Sequence, residues 1–122
     1  TIHANTPRDA LSRLENLVTM GGVVMPAKTL RQQISSAIHI VIQTARLTDG
    51  SRKITSIQEI TGMEGDVISM QEIFTHERTG TGANGVVLGN FKATGVRPMV
   101  ADRIKTWGIQ LSEDLFEPKI IE

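Results

Sequence analysis

Between Ile38 and Gly95 the chain is a succession of β-branched stretches separated by turn residues, with no segment long enough for a helical crossover between them. Strands joined this closely can pair only in the antiparallel sense. "HIVIQTARL" reads as the first strand and ends at Asp49-Gly50, a strong hairpin signal. "RKITSIQEIT" and "DVISMQEIF" supply two more, joined around Gly62 and Gly65. The isoleucines at 54, 57 and 60 depart from strict alternation, and the flanking turns are what argue for a strand there. "GVVLGNFKATG" is then a fourth strand, or a short hairpin through Gly89-Asn90.

The flanks carry a different period. Thr6-Pro7-Arg8-Asp9 is a helix start: a capping hydroxyl, a proline at the first helical position and an acid near the positive end of the helix dipole. Leu11, Leu14, Leu17 and Val18 then form one apolar face, and Gly21-Gly22 stops the helix. Pro26 opens a second helix with Leu30, Ile34, Ala37 and Ile38 inward. A last helix is expected from Pro98 to Thr106, with Val100, Ile104 and Trp107 inward and Gly108 as its stop, followed by a loosely anchored tail from Asp114 to Glu122. The expected fold class is α+β: helices over 1–37, a β meander over 38–97, a helix and tail over 98–122.

A chain of 122 residues suits one domain. Thirteen basic and thirteen acidic side chains cancel, so the bulk charge gives no reason to expect nucleic acid or an anionic membrane as partner. Without cysteine there are no disulfides and no thiolate zinc sites. No apolar run approaches the roughly 20 residues of a membrane span, so no direct membrane insertion is expected. The polar start shows no signal-peptide pattern, and the missing initiator methionine leads us to expect a piece of a longer protein.

Two glycine motifs mislead. In "GGVVMPAKT" Gly22, Lys28 and Thr29 have phosphate-loop spacing, but Ala27 replaces the second glycine, Pro26 lacks an N–H, and a helix rather than a strand leads in. It reads as a helix–helix connection. Gly80 to Gly85 satisfies G-x-G-x-x-G, yet a strand follows instead of the helix a dinucleotide site needs. Of three histidines, His39 is expected in the core and His76 on a solvated face, whereas His3 stands just ahead of a capped helix, a position suited to chemistry. Arg46, Arg52 and Lys53 surround the Asp49-Gly50 turn as solvated ends or as a docking or phosphate-contacting face. No Ser/His/Asp set or catalytic carboxylate pair can be assembled, and one tryptophan with three phenylalanines is too few for a base-stacking platform.

"TIHANTPRDALSRLENLV" resembles the His box, with its following helix, of the type II/IV secretion and pilus-assembly ATPases. "RLTDGSRKITSIQEITGMEGDVISMQEIF" is similar to the C-terminal meander of that family, and "GNFKATGVRPMVADRIKTWGIQLSEDLFEP" to the tail of its CpaF-like branch, the motors of Flp/Tad-type pili. The absence of zinc-binding cysteines favours that branch. The resemblance implies the C-terminal part of a RecA-like α/β P-loop NTPase domain, beginning in a strand of the ATPase core. It implies a parent enzyme that hydrolyses ATP with Mg2+, works as a homo-hexamer with inner-membrane platform proteins, and sits in the cytoplasm peripheral to the inner membrane. "T-I-H-A" carries the family's histidine onto His3, near the terminal phosphate. Arg8 and Arg13, on the next helix, could reach phosphates, with Arg8 the nucleotide-binding candidate, but a place at the surface or a subunit interface is the stronger expectation for both. Lacking Walker A and Walker B, these 122 residues alone are expected to be inactive and to hold no nucleotide tightly. The alternative is a non-catalytic interaction module that docks a membrane partner or a neighbouring subunit.

Overall fold

A computed structural model describes residues 1–121. Its elements are α1 (Pro7–Met20), α2 (Ala27–Ala37), β1 (Ile40–Arg46), β2 (Arg52–Glu64), β3 (Val67–Thr81), β4 (Val87–Ala93), α3 (Met99–Lys105) and β5 (Ile120–Ile121), with 3-10 turns at Ala83–Gly85 and Glu113–Phe116. The strands form one sheet in the order β1-β2-β3-β4-β5, every neighbouring pair antiparallel. The α+β expectation is met, with three helices and five strands among the described residues.

Local chemistry accounts for the element ends. The Asp9 N–H donates to Thr6 Oγ1 at 3.0 Å, satisfying one of the amides that α1 leaves unpaired. Gly22 takes φ 86 after α1, and Pro26 precedes α2, so "GGVVMPAKT" is a helix connection as expected. Gly50 at φ 84 permits the β1–β2 turn, and Asp49 locks it by accepting from the Ser51 N–H at 2.9 Å. The other Asp49 oxygen accepts from the Val87 N–H at 2.8 Å, tying this turn to the start of β4. The sheet must therefore curl enough to bring its first hairpin against its fourth strand.

Two apolar clusters hold the layers together. Leu11, Leu30 and Ile34 of the helices pack on Ile60 and Ile68 of β2 and β3. Ile73, Ala101 and Phe116 form the second, which joins β3 to α3 and the C-terminal segment. Phe74 stacks on Phe91 at 5.7 Å between centroids and meets Phe116 at 5.9 Å. Between the clusters lies Glu59, buried on β2, whose two carboxylate oxygens each accept a backbone N–H at 2.8 Å, from Met99 and from Val100. α3 has no side-chain cap of its own, and a carboxylate from the sheet fills that role.

Several expectations are corrected. Gly62 makes no turn: it sits within β2 at φ 134, where the register with β3 slips, and the turn falls at Gly65-Asp66. β4 runs straight through Gly89-Asn90, because Gly89 pairs with Arg78 and Asn90 with Glu77. Ala37 is exposed at the end of α2. Trp107 is 81% exposed, since α3 stops at Lys105 and the Trp107 position falls in the turn beyond the inward stripe. The tail is anchored up to Ile121: Phe116 is buried, and β5 pairs with β4.

Candidate functional site

His3 lies in an irregular segment, Thr1–Ala4, that forms no strand among the described residues, in contrast to the strand expected there. The segment is moored to the sheet by Gln43 of β1, whose Nε2 donates to the Ala4 carbonyl at 3.0 Å. It also enters α1 through the Thr6 cap. The imidazole is exposed. On one side, with Asn5, Asp9 and Arg13, it borders a depression of about 470 Å³. On the other it faces the β1–β2 hairpin across a depression of about 530 Å³, lined by Thr44, Arg46, Arg52, Lys53 and Ile54.

The hairpin register brings Arg46 and Arg52 together. Arg46 and Arg52 are direct cross-strand partners, flanking the turn symmetrically, and Thr44 opposite Ile54 continues the same face. A bulge between Gln43 and Thr44 re-aims the strand where it passes the N-terminal segment. Hydrogen bonds from the Ser51 hydroxyl, the Val87 amide and the Ser51 amide hold the carboxyl of Asp49, at the tip, down at about 2. With both oxygens engaged, Asp49 does not line the depression.

Arg8 is placed elsewhere. Its Nη2 donates to the Ile68 carbonyl at 3.0 Å, strapping α1 to β3, in a separate depression with Glu15 and Arg31. His39 is corrected from the core to the surface: it precedes β1, and its Nε2 is 2.7 Å from Arg103 Nη1. A guanidinium only donates, so this ring nitrogen is the acceptor. His76 is half-buried rather than solvated, lying across from β4 where a Cβ on Gly89 would come within 2.6 Å of its ring. The G-x-G-x-x-G segment is the β3–β4 connection, with Asn84 at φ 59.

Among the described residues no three His, Asp or Glu side chains gather as a metal site, and no helix is long and apolar enough to cross a membrane. No protein-family model matches the chain. Over 67 residues it is 33% identical to two Mycobacterium tuberculosis proteins, from strains CDC 1551 / Oshkosh and ATCC 25618 / H37Rv, each described as "Putative conjugal transfer protein". The match takes in 55% of this chain and 18% of the length of each relative. Part of the chain is thus similar to proteins named for conjugal transfer.

Proposed function

We propose that the chain is the C-terminal part of a hexameric secretion or pilus-assembly ATPase, a cytoplasmic motor working at the inner membrane. In this reading His3 answers to the terminal phosphate of ATP. The supporting observation is its placement: an exposed imidazole, held ahead of a capped helix and looking across a depression at Arg46, Arg52 and Lys53. Colinear likeness to the family's His box, meander and tail agrees with this, as does the partial similarity to the conjugal-transfer proteins.

An imidazole there can donate a hydrogen bond to a phosphate oxygen, or exchange a proton with it, and so register whether that phosphate is present. Phosphoryl transfer depends on positioning and on neutralising charge more than on covalent chemistry. The cations around His3 suit phosphate oxygens. The described residues bring together no ligand set for Mg2+, which the reading assigns, with the P-loop, to residues of the parent protein outside this chain. In the full-length protein, His3→Ala is expected to lower kcat for ATP hydrolysis by about 10²-fold while leaving nucleotide binding within a few-fold. The 122-residue chain itself should show no tight ATP binding by calorimetry. Unchanged hydrolysis in the His3→Ala protein refutes the reading, as does a submicromolar dissociation constant for the chain alone.

A second reading, a docking module without catalysis, draws support from apolar side chains left in solvent, Met20, Val24 and Trp107 among them. It predicts that His3→Ala changes nothing in assembly or hydrolysis.

A further inference from the structure

We infer that the β1–β2 hairpin is a phosphate-binding element: Arg46 and Arg52, with His3 bordering the same depression, form a site for a chain of phosphate oxyanions. Three observations carry this. Arg46 and Arg52 are paired directly across the hairpin, an arrangement that repels unless an anion lies between or above the two guanidinium groups. Both are exposed, and neither takes part in any ion pair or side-chain hydrogen bond among the described residues. Most other cations are engaged: Lys28, Arg31, Lys92, Arg97 and Lys119 in ion pairs, Arg8, Arg78 and Arg103 in hydrogen bonds. Finally, the depression these residues share with His3 has no carboxylate in its lining, and at about 530 Å³ it has room for several phosphate groups.

Chemistry narrows the ligand. Two guanidinium forks match phosphate oxygens with paired N–H donors. Open to solvent, such a site binds weakly and loses affinity as salt rises. That an oxyanion binds here stands on charge and register alone. That the anion is the terminal phosphates of ATP rests on the motor reading above, and the two parts can fail separately.

The test titrates sodium tripolyphosphate into the 15N-labelled 122-residue chain at low, constant ionic strength, following arginine Nε and histidine ring resonances. Resonances of Arg46, Arg52 and His3 should move together along one binding curve. The double variant R46Q/R52Q should weaken binding by roughly tenfold or more, while the control K28Q/K105Q, of equal charge change, stays within about twofold. Removing the repulsive pair should leave thermal stability equal or higher. Shifts shared equally with Arg78 and Arg103, undiminished binding in R46Q/R52Q, or a lowered Tm in that variant would each overturn the site. In the full-length protein, loss of hydrolysis on His3→Ala without any effect of R46Q/R52Q keeps the motor and discards this element. The converse pattern, tripolyphosphate binding as described but hydrolysis indifferent to His3, keeps the element and discards the motor.

Discussion

Replacing Glu59 by alanine removes the side-chain cap at the start of α3. The carboxylate is 4% exposed and accepts from the Met99 and Val100 amides at 2.8 Å each. Hydrogen bonds to a charged group contribute about 1.5–3 kcal/mol, which for two would suggest as much as 6 kcal/mol. Two effects reduce that sum. The freed amides belong to an exposed and a half-buried residue and recover water, and deleting the carboxylate also removes its own desolvation cost. Cap truncations, which include such relaxation, cost about 0.5–2 kcal/mol, so we expect Glu59→Ala to lose about 2 kcal/mol. Glu59→Gln keeps one acceptor but sets its amide NH2 against the second backbone N–H, donor to donor, and should lose a comparable amount. In urea the midpoint for the alanine variant should fall by about 1–2 M at unchanged slope. Hydrogen exchange should show Met99 and Val100 losing protection before the strands do. A cost under about 0.5 kcal/mol for either variant refutes the cap.

Gly89→Ala should cost on the order of 1–3 kcal/mol, because the new Cβ would stand 2.6 Å from the Glu77 carbonyl oxygen and 2.6 Å from the His76 ring. Gly80→Ala, where nothing lies within 4 Å, should change chemical denaturation by less than about 0.5 kcal/mol. The Asp49 carboxyl should titrate near 2 in a carbon-detected NMR series. Its folded pKa is depressed, so its support for the hairpin is complete above about 4, the ordinary carboxylate value. That support is lost as pH falls from there through about 2. Titration near 4 would show that the Val87 and Ser51 contacts do not form in solution.

Much of the fold could be read from residue types because the signals are local. The Thr6-Pro7 cap, the Gly21-Gly22 stop and the Asp49-Gly50 turn each depend on backbone geometry within a few residues, and all appear where expected. Apolar spacing found the helix faces that meet β2 and β3. Errors fell where distant partners decide. Gly62 and Gly89 look like turn residues, but one relieves a bulge in a long hairpin and the other lies beneath His76. Trp107 is apolar enough for a core but lies past the end of a seven-residue helix. The segment from Asp114 carries apolar residues without a helix or strand period to predict anchoring, yet Phe116 finds Phe74 and β5 finds β4.

The site divides the same way. His3 stands out in the sequence because it sits before a capped helix, and Arg46 and Arg52 because they flank a two-strand turn at equal distance. Only the folded chain shows that these groups border one depression, while Arg8 is spent on the Ile68 carbonyl. Residue order determines what each short stretch prefers, since caps, turns and strand alternation act over a few bonds. Which side chains share a space is decided by how the sheet curls and where the N-terminal segment is moored, and those outcomes depend on contacts such as Gln43 to Ala4 and Asp49 to Val87, whose partners lie some forty residues apart.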